Sequence, residues 1–211
     1  MPAAAQQQRQ DRRNKLSLLA PADVSVIPAL YTTKKAAEIT RALLVPGELT
    51  WRCDEISMYG RRVKQPRLTV WVADPGVTYR YSGITMSPES WTPQLVQIKK
   101  DVENAAGCSF NSVLINQYRD GNDYVGWHRD NERELGPEPV IGSLSLGATR
   151  FFDLRHRDYR ENKIPLQRYE LNSGDLIIMR GTTQQYWQHR VPKQKRITET
   201  RINLSFRMTR P

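Results

Sequence analysis

The chain is short of cysteine, of histidine and of long apolar runs, and each shortage removes a class of explanation. Two cysteines, Cys53 and Cys108, lie far apart, and neither belongs to a CxxC pair. They support no disulfide framework and no cysteine zinc site, so a reducing interior is the simpler setting. No run of about 18 apolar residues occurs, which argues against a membrane-spanning helix. Residues 1 to 15, MPAAAQQQRQDRRNK, lack the apolar core of a signal peptide, so export is not expected. Acids are also scarce: 22 Asp and Glu stand against 32 Lys and Arg, a formal charge of +10. Such an excess favours a polyanionic partner, nucleic acid ahead of an anionic membrane surface. A generally basic, soluble surface would give the same count.

What is present suits one globular domain with an appended lobe. The 211 residues are 38% hydrophobic, enough to bury a core. Residues 1–20 are rich in Gln, Ala and Arg and read as a disordered basic arm. TKKAAEITRALL, residues 33 to 44, has apolar positions at helical spacing. Thr32 or Thr33 can cap it, and Pro46-Gly47 ends it. PESWTPQLVQIKKDVENAAG, residues 88 to 107, reads as a second helix through Trp91, Leu95, Ile98 and Val102, stopped by Gly107. Between them, YGRR, ADPG and YSG punctuate short strands.

Beyond Gly107 the period changes to two. FNSVLINQY, VIGSLSLGATRFFDLRH, RYELNSGDLIIMRG and RINLSFRM read as strands separated by turns. Many short strands of this kind predict a jelly roll. The expected fold is mainly β with flanking helices (α+β). Residues 21–107 supply helices and a lid, and residues 108–211 form a double-stranded β-helix core.

The basic excess is uneven. RRVKQPR, residues 61 to 67, has four cations and no acid, and residues 189 to 211 have seven Lys or Arg and one Glu. Both segments are candidates to meet phosphates.

RINLSFR places Ile202, Leu204 and Phe206 on one face and Arg201, Asn203, Ser205 and Arg207 on the other. An amphipathic surface strand has the same pattern. Here, however, the polar face begins and ends with arginine, and six residues of rise set the two Cα atoms roughly 20 Å apart. Two arms bending inward could hold the ends of a short dicarboxylate through their planar forks. In LINQY, Leu114, Asn116 and Tyr118 share a face. Asn116 interrupts an apolar run and is either a core amide bonded to backbone or a ligand contact.

The three histidines complete the set. His156, in the charged run LRHRDYR, reads as a solvated loop or strand end. His128 and Asp130 are two apart and face the same way on a strand, and His189 is the remaining partner. Two imidazoles and one carboxylate without a fourth protein ligand make the facial triad of non-haem Fe(II) oxygenases, whereas a structural zinc site would be closed. HRD in a kinase catalytic loop would need Asn five positions after the aspartate, where Leu135 stands, and no glycine-rich phosphate loop is present.

FNSVLINQYRDGNDYVGWHRDNEREL, SLSLGATRFF, WQHRVPK and RINLSFR resemble, in this order, the AlkB family of Fe(II)- and 2-oxoglutarate-dependent nucleic-acid dealkylases. The second and third vertebrate homologues are the most similar. The resemblance extends upstream through QPRLTVW and YRYSGITMSPESW and covers roughly residues 50 to 210. It implies that His128, Asp130 and His189 hold the iron and that Leu114 lies beside it. It also implies that Asn116, Tyr118, Arg201, Asn203, Ser205 and Arg207 contact 2-oxoglutarate.

Tyr79, Arg80 and Tyr81 fall in the family's nucleotide-recognition lid, with Tyr81 where an aromatic stacks on the target base. Glu132 falls where an acid approaches the base edge, and a solvated loop carboxylate is the other reading of it. Met58, Tyr59 and Gly60 stand where the second homologue has a hydrophobic finger, at the same spacing from Arg67. Asn131 departs from the family, which often has an acid after the metal-binding aspartate.

The implied activity is oxidative demethylation of bases such as 1-methyladenine and 3-methylcytosine, using Fe(II), 2-oxoglutarate and O2 and releasing formaldehyde. The implied partner is DNA, single- or double-stranded, with RNA an alternative. A 2-oxoglutarate oxygenase of RNA modifications or of another substrate is a second reading. A non-catalytic nucleic-acid-binding jelly roll is a third. The protein is expected to be monomeric and intracellular, cytoplasmic in a bacterium or nuclear in a eukaryote.

Overall fold

The computed structural model describes residues 21–58, 61–77, 79–81, 84–86 and 88–210. The expected basic arm and the finger residues Tyr59 and Gly60 lie outside the described residues. Two antiparallel sheets face each other. The larger runs in the order β1 (Asp23–Ile27), β12 (Leu176–Arg180), β9 (Ile141–Gly147), β14 (Arg201–Arg207), β7 (Ser112–Tyr118) and β4 (Leu68–Ala73). The smaller runs β11 (Gln167–Leu171), β10 (Arg150–His156), β13 (Trp187–Val191) and β8 (Val125–His128). This is the expected jelly roll. Strands from both sides of Gly107 share the larger sheet, since β1 and β4 precede it.

Period-2 alternation sorts the larger sheet's side chains. Val113, Ile115, Leu144, Leu146, Ile202, Leu204 and Phe206 point outward into one apolar core. Two helices close that core: α1 (Thr33–Leu43) through Ala36, Ile39 and Leu43, and α2 (Pro93–Ala106) through Leu95, Ile98 and Val102. The alternate residues of the same strands face the smaller sheet. There Tyr118, Ile141, Ile177 and Met179 pack with Phe152, Leu154, Leu171, Trp187 and Val191.

Thr32 caps α1, its hydroxyl accepting from Lys35 N at 3.3 Å. The second helix starts at Pro93 rather than at Pro88 as the sequence suggested. Thr92 Oγ1 accepts from Leu95 N, and proline fits the first helical position because it has no N–H to satisfy. Glu89 instead bridges to Val72, and Trp91 Nε1 donates to Asp74. Gly107 ends the helix in the left-handed region at φ 67°.

His156 is not solvated, as its charged neighbours suggested, but fully buried. It shares the inward face of β10 with Phe152 and Leu154, accepts from Asp158 N at Nδ1 (3.1 Å) and meets the Trp187 ring edge-on. Arg155 sits on the opposite face of the strand, over the Trp127 ring. Beside it Asp153 accepts from Arg168 and Arg190, one on each neighbouring strand.

Two hairpins lie outside the two sheets, one on each side of β4 in sequence. β2 (Glu55–Met58) pairs with β3 (Arg61–Lys64), Met58 opposite Arg61, and β5 (Tyr79–Tyr81) pairs with β6 (Ile84–Met86). Met58 is therefore the last residue of its strand, and Tyr79, Arg80 and Tyr81 form one arm of the second hairpin. α3 (Thr183–Tyr186) is a single turn leading directly into β13. Among the described residues, no helix is long and apolar enough to cross a membrane.

Candidate active site

His128 ends β8 and lies opposite His189 on β13, their ring centroids 4.2 Å apart. Asp130 follows two residues later. One ligand atom from each of the three lies within 4.8 Å of the others, and no further His, Cys, Asp or Glu joins them among the described residues. Gly126 O sits 2.9 Å from His128 Nδ1. A carbonyl only accepts, so Nδ1 carries the proton and Nε2 presents its lone pair. His189 is held from behind by the stacked Phe152 ring at 5.3 Å.

Burial keeps both imidazoles neutral. It lowers His128, and it pushes His189 down to about 3 with the help of His128. At His128, whose side chain is 27% exposed, Asp130 and the Gly126 carbonyl oppose that lowering. Burial alone would raise the Asp130 carboxyl, but the neighbouring Arg207 guanidinium, which also hydrogen-bonds it, holds it below the ordinary carboxylate range. Two neutral imidazoles and one ionised carboxylate are the donor set a divalent transition metal takes, with open positions left over.

Arg207 Nη2 and Nε both donate to Asp130 Oδ2, at 2.5 and 3.1 Å. Asp130 Oδ1 is on the side of His128 Nε2, 3.9 Å away. Arg207 thus already serves Asp130, beside the dicarboxylate grip expected of it and Arg201. Arg201 has the capacity: it is fully buried, Nη2 donates to Ser145 Oγ at 2.9 Å, and its Nε and Nη1 have no hydrogen-bond partner. Burial pushes this guanidinium down to about 10, and the Tyr118 ring lies 5.2 Å from it. A buried cation with two unmatched donors fits a carboxylate such as one end of 2-oxoglutarate.

Arg201 stands at the end of an otherwise polar wall. Asn203 Nδ2 donates to Ser143 Oγ and Leu144 O, and Ser205 Oγ donates to Asn203 Oδ1. Both amide hydrogens of Asn203 are thus taken. The Ser143 hydroxyl, whose oxygen accepts from Asn203, has its own hydrogen to offer the cavity. Arg67 turns inward, away from the phosphate-binding surface expected of residues 61 to 67. It is 5% exposed and donates through Nε to Asn116 Oδ1 at 2.7 Å. That bond leaves the Asn116 amide nitrogen for the cavity.

One cavity between the sheets brings together Arg67, Leu114, Asn116, Tyr118, His128, Asp130, His189, Asn203, Ser205 and Arg207. Asn131 is exposed and Glu132 half-buried in the loop after Asp130. Ser143, Ser145 and Gln184 were missed in the sequence. The serines were legible in principle, since GSLSLG alternates in step with β14. Gln184 sits in a polar TTQQ run with no period to read. Part of the basic excess is internal, with Arg67, Arg150, Arg201 and Arg207 all buried.

Relatives of the chain carry the same chemistry in their names. It is 40% identical over 183 residues to the human DNA oxidative demethylase ALKBH2, covering 84% of this chain and 70% of that protein. It is 46% identical over 154 residues to alpha-ketoglutarate-dependent dioxygenase alkB homolog 3 of Bos taurus, covering 70% of this chain and about half (53%) of that one. The solved structure of OsALKBH1 superposes with a TM-score of 0.64 at 19% identity, over 90% of this chain and 99% of that one. A Pseudomonas putida prolyl-4-hydroxylase superposes at 0.56 and 12% identity, over 92% and 95%. At such identities the two structures speak for the fold alone. Residues 23–207 match the family described as the 2OG-Fe(II) oxygenase superfamily, and with the His-Asp-His cluster in its cavity the chain belongs to that superfamily.

Proposed function

We propose that the protein is an oxidative demethylase that repairs N-methylated nucleic-acid bases in DNA. The observation that carries the proposal is a His-Asp-His cluster in a cavity lined by Asn116, Asn203 and Ser205, with the buried, half-unmatched Arg201 on the same face of β14 as Asn203 and Ser205. The names of the two groups of relatives supply the substrate class.

His128, Asp130 and His189 hold Fe(II), and Arg201 anchors the distal carboxylate of 2-oxoglutarate. With both bound, O2 is reduced while 2-oxoglutarate becomes succinate and CO2, and an N-methyl group is hydroxylated and lost as formaldehyde. The chain's own residues prepare this step. Gly126 fixes the His128 tautomer, and Arg207 occupies Asp130 Oδ2, which would leave Oδ1 to a metal. Asn116, oriented by Arg67, and the Ser143 hydroxyl offer donors to an anion in the cavity.

A base reaches a cavity between two sheets only after leaving its stack, and a methylated, mispaired base leaves it at least cost. Tyr81 stacks on the extruded base, Glu132 and Asn131 meet its edge, and Met58 and Tyr59 fill the gap in the duplex. Tyr79 and Arg80 flank that base, and Leu114 shapes the cavity wall.

The test is a methylated oligonucleotide incubated with the protein, Fe(II), 2-oxoglutarate and ascorbate, followed by mass spectrometry. Restored base and released formaldehyde are expected from the wild type and not from folded His128→Ala. Equal repair by that variant would overturn the assignment. Succinate formed without any change in the oligonucleotide would point to another substrate of the same oxygenase.

A further inference from the structure

We infer that Gln184 is a positioning residue for Asp130, acting through the backbone amide of that residue. The inference rests on Asp130 being a metal ligand together with His128 and His189.

Asp130 lies just past the end of β8, so its N–H has no ladder partner, and the residue is only 2% exposed. A buried amide of this kind must find an acceptor. Gln184 Oε1 provides it at 3.0 Å. Gln184 is itself 1% exposed, and its amide has one workable orientation. Nε2 faces Met179 Sδ at 3.3 Å, and a thioether has no hydrogen to donate, so the carbonyl end must face Asp130.

The turn that holds Gln184 is anchored on both sides. Thr183 Oγ1 accepts from Asp23 N at 2.9 Å. Gln185 O accepts from Arg129 Nη1 at 2.9 Å, and Gln185 Nε2 donates to Pro137 O at 2.8 Å. Residues 129, 130 and 137 are therefore gripped by two neighbouring glutamines. The same turn runs straight into β13, which carries His189. One short segment thus sets the distance between two ligands that come from separate parts of the chain. Arg207 fixes one carboxylate oxygen of Asp130, and Gln184 fixes the backbone from which the carboxylate hangs. Without Gln184 the orphaned N–H draws the loop towards another acceptor, and Oδ1 moves with it.

Metal affinity separates positioning from simple support of the loop. Mn(II) binding to the full chain, read from the EPR signal of free Mn(II) well below the melting temperature, is compared across variants. Gln184→Met keeps the side chain's length and removes its amide. It should bind Mn(II) roughly 10–100-fold more weakly than wild type, as loss of an outer-sphere partner does. Gln185→Met, which releases only the Pro137 contact, should stay near wild type. Should Gln184→Met not fold, Met179→Leu decides the matter, since it removes the partner that steadies Gln184 Nε2, loosens the amide beneath Asp130 N and should weaken Mn(II) binding in the same direction. Wild-type affinity in the folded Gln184 variant, or in Met179→Leu where that variant must decide, overturns the inference. So does an equal loss in Gln185→Met. Wild-type Mn(II) binding by His128→Ala would instead overturn the ligand assignment beneath it.

Discussion

Arg207 and Asp130 meet through a single carboxylate oxygen, with Nη2 2.5 Å and Nε 3.1 Å from Oδ2. Both side chains are almost fully buried, at 8% and 3% exposure. Removing one partner of such a pair leaves the other charge stranded, at about 3–5 kcal/mol. Arg207→Met should therefore lower the stability of the metal-free protein by that order in a denaturant melt. Divalent metal should restore part of the loss, because it supplies the missing positive charge. No recovery with metal would argue against Asp130 as a ligand.

Arg201 should behave in the opposite way. Its guanidinium is buried with two unmatched donors, so Arg201→Met should leave the ligand-free protein as stable as wild type or more so. The stabilisation by 2-oxoglutarate should disappear, with KM for the co-substrate raised by about 30-fold or more, the loss expected of a buried charge pair. Arg201→Lys should recover little, since an ammonium does not reproduce the fork. Thermal melts with and without 2-oxoglutarate, and initial rates against its concentration, check both halves.

Asp153 gives a pH-dependent outcome away from the cavity. Burial raises its carboxyl, but the hydrogen bonds from Arg168 and Arg190 outweigh this and leave it below the ordinary value. A carboxyl depressed in the folded state contributes stability above its unfolded value, and that contribution is lost as pH falls through the folded one. Asp153→Asn should cost about 1–2 kcal/mol at pH 7, a figure reduced because both arginines are partly exposed. The gap to wild type should close as the pH is taken below about 4. Urea melts at several pH values read this directly, and a gap that widens in acid would contradict it.

His156→Ala tests how misleading a charged neighbourhood is. A surface histidine would cost within about 0.5 kcal/mol. Truncating a large, fully buried side chain should cost about 2–4 kcal/mol. An equilibrium urea melt distinguishes the two.

Much of this was legible in the chain because the relevant information is periodic and local. The alternation in RINLSFR assigned β14's two faces correctly, and the helix over residues 33 to 44 followed from spacing and a threonine cap. The three ligand candidates were found by residue type, since few histidines were available. What escaped was long-range. Nothing near Arg207 in sequence names Asp130, 77 positions away, as its partner. Arg67 sits in a basic run and still turns inward, because it leads into β4, whose neighbour β7 presents Asn116 to it. The strand DVSVI, β1, went unread because its partner β12 lies across almost the whole chain. His156 was misjudged because charge outweighed the period-2 pattern that places it with Phe152 and Leu154.

The alternation along β14 also governs how this protein can fail. A slip of one residue against β7 and β9 would exchange its two faces. Arg201, Asn203, Ser205 and Arg207 would then lie beneath the helices, and Ile202, Leu204 and Phe206 would fill the cavity. No intermediate alignment keeps the helices seated while losing the site, or keeps the site while unseating the helices. Cohesion and chemistry are read from the same strand in one frame, so a chain that has closed its outer core has already assembled its interior.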